Sequence, residues 1–182
     1  MVDRISALAG QEMPRNFGPD LTMTERRLGA IWQLAAWPGE VAGAGKLVAR
    51  TAGVRTAPGP RASASGKTAD LLRIEPLKWL LTSDAPIEKP EMGATGTPLD
   101  LSHARTVIRL QGEAVPELMA RLTPLDLRES AFPEGSVATS AIDHVAVTLH
   151  AREGGLEVYC FRSFGLSIWE HVANSAEQFA IV

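Results

Sequence analysis

Apolar and polar positions alternate along Gly29-Ala-Ile-Trp-Gln-Leu-Ala-Ala-Trp37, which predicts a strand closed by Pro38 and Gly39. Helical spacing of Val41, Leu47 and Val48 predicts a helix over 40–52, stopped by Gly53. Gly43 and Gly45 lie inside it and weaken it by about 1 kcal/mol each relative to alanine. Residues 55–67, rich in Ala, Ser, Gly and Pro, predict a loop with one short strand. Strands follow over 70–75 and 78–82, with a turn at Pro76. Beyond Pro86, Pro90, Gly93, Gly96 and Pro98 the rhythm restarts. It predicts a strand over 105–110, a turn at Gln111-Gly112 and a helix over 113–122 with Pro116 in its first turn. Phe132-Pro-Glu-Gly135 is a turn, and strands are expected over 136–142 and 145–150. Glu153-Gly-Gly155 turns a hairpin into a strand over 156–161. A helix over 163–179 closes the chain, with Ser163 as N-cap and Phe164, Ile168, Trp169 and Val172 on its buried face.

The order strand, helix, several strands occurs twice. It predicts an α+β fold of two small ferredoxin-like subdomains, each an antiparallel or mixed sheet backed by helices. The expected division is an N-terminal arm over 1–22, a first subdomain over 23–84, a Pro/Gly linker over 85–99 and a second subdomain over 100–182.

Composition narrows the function. With 182 residues, 45% of them hydrophobic, the chain can bury a real core. A net charge of -3 carries no excess of Lys and Arg for a nucleic-acid footprint. The single cysteine, Cys160, rules out an internal disulfide and a Cys-rich zinc site, which fits a reducing cytoplasm. No apolar run approaches the roughly 20 residues of a membrane helix, and residues 1–10 lack the apolar segment of a signal peptide. The expectation is a soluble, cytoplasmic protein that binds neither nucleic acid nor membrane.

Candidate chemistry is sparse. Ser65-Gly-Lys-Thr68 ends like a phosphate loop, but Arg61 stands where the first glycine belongs and a strand follows instead of a helix. Gly43-Ala-Gly45 begins a dinucleotide fingerprint, then meets Val48 in place of its third glycine. His144 and His150 share a face if one strand runs through both, with no third metal ligand evident beside them. Cys160 sits in an apolar strand and reads as a small buried hydrophobe. Of the four tryptophans, Trp79 and Trp169 fit core positions. Trp32 and Trp37 lie on opposite faces of their strand, so one can face a partner, and both are interface candidates. No catalytic residue and no metal ligand set emerges.

The second half carries a family resemblance. Asp100-Leu-Ser-His103 with the strand to Gly112, Pro124-Leu-Asp-Leu127, Phe132-Pro-Glu-Gly135, Arg162-Ser-Phe164 and Ser167-Ile-Trp-Glu170 resemble motifs of the gamma subunits of heterotetrameric sarcosine oxidases. Thr24-Glu-Arg26, Gly29-Ala-Ile31 and Leu77-Lys-Trp-Leu-Leu81 are similar but less distinctive. The family in turn resembles the folate-binding domain of the glycine-cleavage aminomethyltransferases, which implies an aminomethyltransferase-like fold. There a Gly-Gly-x-x-Asp-Asp stretch contacts folate. This chain has Ala141-Ile-Asp143-His144, so Asp143 is the one folate candidate. The resemblance implies a non-catalytic subunit that supports a complex demethylating sarcosine to glycine, with hydrogen peroxide as product and one-carbon transfer to tetrahydrofolate. Partners would be alpha, beta and delta subunits, with NAD and folate in alpha, FAD in beta, covalent FMN between them and zinc in delta. This chain would hold no cofactor. The alternatives are a free-standing folate-binding aminomethyltransferase-like protein and a gamma subunit of a related N-methyl amine oxidase or demethylase.

Overall fold

A computed structural model describes residues 5–180. The elements run β1 (Arg15–Asn16), β2 (Thr22–Glu25), β3 (Ala30–Ala36), α1 (Val41–Ala52), β4 (Ser63–Ser65), β5 (Asp70–Glu75), β6 (Lys78–Ser83) and β7 (Gly96–Asp100). They continue with β8 (Arg105–Gln111), α2 (Val115–Met119), β9 (Val137–Ile142), β10 (Val145–Arg152), β11 (Gly155–Phe161) and α3 (Gly165–Ala176). The fold is α+β, and both sheets are antiparallel throughout.

Two compact units divide the chain: a middle unit, Leu28–His103, and a terminal unit formed by Met1–Arg27 and Ala104–Val182. The middle unit has the strand order β4-β5-β6-β3-β7, and the terminal unit has β1-β2-β8-β11-β10-β9. One connection recurs in both. A first strand leads to a helix and then to three strands, the last pairing back on the first: β3-α1-β4-β5-β6 and β8-α2-β9-β10-β11. The remaining strands are exchanged. β2 directly precedes β3 yet pairs with β8, whereas β7 directly precedes β8 yet pairs with β3.

That exchange corrects the expected division. Over its described residues the expected arm is part of the terminal unit, because β2 pairs with β8 and Leu8, Phe17 and Leu21 are buried. The expected linker over 85–99 contains most of β7, whose residues Gly96–Asp100 pair with β3. Pro98 is tolerated there because β7 is an edge strand, where a missing N–H costs no ladder bond.

Packing explains the helices. In the middle unit, Ala44, Val48 and Ala52 of α1 meet Leu34, Leu71, Trp79 and Leu81 of the sheet. Small residues on that face let helix and sheet approach closely. Gly53 ends α1 in the left-handed conformation, with φ of 74°. Its N–H donates to Arg50 O and that of Val54 to Ala49 O, the paired bonds of a Schellman motif. In the terminal unit, Ile168, Trp169 and Val172 of α3 pack with Ile108, Leu110, Leu149 and Val158 of the sheet.

Two helix expectations change. The helix expected over 113–122 is regular only over Val115–Met119; beyond it Arg121 and Leu122 donate to Leu118 O and Met119 O, the tighter i to i−3 bonds of a 3-10-type turn. Ser163 does not cap α3. Arg162–Phe164 form a 3-10 turn, Phe164 is the N-cap, and no side chain caps the helix. Splayed at that position, Phe164 is 44% exposed and leaves the buried face to Ile168, Trp169 and Val172.

Candidate functional site

Strand β11 reads Leu156-Glu-Val-Tyr-Cys-Phe161, and its period of two puts Leu156, Val158 and Cys160 into the core. Glu157 and Tyr159 therefore share the other face. Register brings Arg109 of β8 opposite Glu157 on one side and His150 of β10 opposite it on the other. The result is a fully buried carboxylate ringed by donors. Arg26 Nη1 lies 2.6 Å from Glu157 Oε1, and Arg109 Nη1 lies 3.2 Å from the same oxygen. Tyr159 donates its hydroxyl to Oε2 at 2.7 Å. Arg152 Nε stands 4.0 Å from Oε1.

Burial alone would raise the pKa of Glu157. His150, the charge and hydrogen bond of Arg26, and the Tyr159 hydroxyl outweigh it and hold the carboxyl well below the usual glutamate range. His150 Nδ1 is 3.5 Å from Oε2, long for a hydrogen bond, so Arg26 and Tyr159 are the firmer contacts. A carboxylate this firmly ionised and this closely held cannot accept a proton near neutral pH. Its chemistry is that of a structural anchor, joining the chain after β2 to β8, β10 and β11.

Each unit also has a groove, placed alike in the recurring connection, between the first helix, the segment after it and the last hairpin. The middle-unit groove, of about 590 Å³, carries Lys46, Arg50, Arg55 and Arg73 with no acidic residue. Arg73 lies over the Trp79 ring at 4.0 Å, and its Nε donates to Glu75 O at 2.9 Å. The terminal-unit groove, of about 510 Å³, carries Glu113, Glu129, Glu134 and Glu153 beside Arg152. Two equivalent hollows thus have opposite charge.

The residues singled out from the sequence disperse. Asp143 and His144 both have positive φ, 44° and 66°, and form the two-residue turn between β9 and β10. Asp143 is exposed and lines neither groove, and its place is accounted for by turn geometry. Because His144 sits in that turn, it does not share a strand face with His150. Among the described residues, no three His, Cys, Asp or Glu side chains converge as a metal set.

Trp79 and Trp169 lie in the cores, as expected. Trp32 is half-buried and donates its indole N–H to Ile87 O at 3.2 Å, while Trp37 is 49% exposed just beyond β3. Burial pushes the Cys160 thiol up to about 11, against the lowering pull of Arg105, so it is a poor nucleophile. The amides of Thr68 and Ala69, in and beside the incomplete phosphate loop, donate to Ala52 O at the end of α1. A Cβ on Gly66 would stand 2.0 Å from that same oxygen, so the glycine serves close packing.

The family-like motifs turn out to be joints. Asp100 accepts the amide of Ser102 at 2.8 Å, and Ser102 Oγ accepts the amide of Ile31 at 3.0 Å, tying the end of β7 to β3. Phe132 and Leu127 are buried, and Gly135 donates its amide to Ala151 O at the mouth of β10. Arg162 donates to Ile5 O at 2.6 Å.

The geometry therefore defines a two-sheet α+β protein in which one connection recurs and the terminal sheet buries a structural ion cluster. That fold is shared with a solved heterotetrameric sarcosine oxidase from Corynebacterium sp. U-96, in complex with pyrrole 2-carboxylate. The likeness has a TM-score of 0.76 and 21% identity over 89% of this chain and 86% of that one. No protein-family model matches the sequence, and no curated protein matches it significantly.

Proposed function

We propose that this chain is the gamma-type subunit of a heterotetrameric sarcosine oxidase, contributing architecture and no catalytic group. The observation that carries the reading is the extent of the structural likeness, which takes in both units and not one shared sheet. The motifs that resemble the gamma family support it, since here they close joints between strands and helices. Phe161, Phe164 and Leu166 add support: they are 45%, 44% and 40% exposed around the entry to α3 and suit burial against another subunit. Flavin, nicotinamide and folate chemistry would then belong to the alpha and beta subunits, and zinc to delta.

The test is genetic. Disrupting the gene for this chain is expected to abolish sarcosine-dependent peroxide formation and leave the other subunits unassembled. The chain restores both, and so does its Asp143→Ala variant, because Asp143 only turns a hairpin. Full peroxide formation from an intact complex without the chain would refute the proposal. Rescue by the chain but not by Asp143→Ala would favour a folate-binding role.

A further inference from the structure

An open sheet edge presents unpaired N–H and C=O groups that recruit other strands, so edges are normally shortened, charged, kinked or covered. The two sheets have four edges, β1, β9, β4 and β7. Three are protected. β1 is two residues long and carries Arg15, β4 is three residues long, and β7 contains Pro98 and ends in Asp100. The fourth is not. β9 is Val-Ala-Thr-Ser-Ala-Ile, with no charge, no proline and no glycine. It keeps an unbroken register with β10 from Val137↔His150 to Ile142↔Val145. Among the described residues no backbone group outside the sheet hydrogen-bonds to it. Its counterpart in the recurring connection, β4, is half as long.

We infer that β9 is a docking edge, to which an extended segment of a partner subunit adds as a seventh strand of the terminal sheet. The inference rests on the subunit reading above. Charge identifies the occupant. Exposed acids flank the uncharged strand at both ends, Glu134 before it and Asp143 after it. A second copy pairing antiparallel would bring Glu134 of one chain toward Asp143 of the other at each end, and like charges across a pair of strands destabilise it. A foreign strand with an uncharged centre and Lys or Arg at its flanks meets both acids favourably. Main-chain bonds supply affinity in this mode, and side chains on alternate positions supply specificity.

The experiment uses the complex isolated from its host through a tag on this chain, in three forms: unchanged, Thr139→Lys and Thr97→Lys. Both threonines are exposed, the first in mid-β9 and the second on the protected edge β7. The expected result is that Thr139→Lys loses co-isolated flavoprotein by at least about tenfold, because an edge lysine blocks strand addition. Thr97→Lys should retain it, and both variants should unfold like the unchanged chain. Hydrogen exchange gives a second readout: the outward-facing amides of β9 exchange quickly in the lone chain and slowly in the complex. Equal recovery with Thr139→Lys, or fast β9 exchange in the intact complex, overturns the edge inference and leaves the subunit reading standing. If the unchanged chain is isolated alone, without flavin and with fast β9 exchange, both fail. A lone dimer that Thr139→Lys converts to monomer overturns the foreign partner in favour of a second copy.

Discussion

The middle and terminal units share the connection strand, helix, three strands, and they complete it differently. The middle unit packs one long helix, α1, on its sheet, and ends that helix with a Schellman turn at Gly53. The terminal unit has only the short α2 at the same point and takes its main helical cover from α3, after the last strand. Polar groups diverge as well. The terminal sheet buries Glu157 among arginines, whereas in the middle unit Glu75, paired with Lys78 at 2.8 Å, is exposed. The lesson is that one topology tolerates either an apolar or an ionic means of fixing its strands, and that the ionic one concentrates the risk in a single residue.

The largest expected effect follows from that concentration. Glu157→Gln removes the buried charge that faces the largely buried Arg26 and Arg109, so it should cost about 3–5 kcal/mol by urea denaturation. Glu75→Gln removes an exposed pair and should cost at most about 1 kcal/mol. Equal costs would break the contrast between the units.

Acid should reveal the same residue. Glu157 titrates near 4.5 when unfolded and well below that when folded, so its contribution is complete above that value. As pH falls below 4.5 the unfolded state takes up the proton first, and stability is lost progressively toward the folded pKa. Melting temperature measured against pH should therefore fall below that point in the natural chain, and fall less steeply in Glu157→Gln.

A smaller effect marks the middle unit. Gly53→Ala forces an alanine to φ of 74°, with its Cβ 3.1 Å from Lys67 N, and should cost about 1–2 kcal/mol by the same denaturation. The smallest belongs to the basic groove. Arg50→Glu reverses an exposed charge and should change stability by no more than about 0.5 kcal/mol, which would show that the groove's charge does not serve folding.

Strands with clean alternation were legible from the sequence. β3, β5, β6, β8 and β11 lie where alternation and turn residues put them, and Gly53 stops α1 as expected. The exchanged strands were not legible. β1 and β2 are too short to show a period, and β2 finds its partner β8 only far along the chain. Pro98 made an edge strand look like linker. Glu157 escaped notice because a lone acid in an apolar strand reads as a solvent-facing position. Its partners Arg26, Arg109 and His150 come from separate stretches, and only the β8-β11-β10 register makes them neighbours. Trp32 and Trp37 were equal candidates in the sequence, and which of them stays exposed was not legible, because the hydrogen bond that occupies Trp32 depends on where Ile87 folds back.

The most direct measurement is the native mass and visible spectrum of whatever is isolated with the tagged chain from cells grown on sarcosine. The account predicts one species containing a single copy of this chain, three other subunits and bound flavin. A colourless chain of its own mass, from cells that oxidise sarcosine, would contradict it.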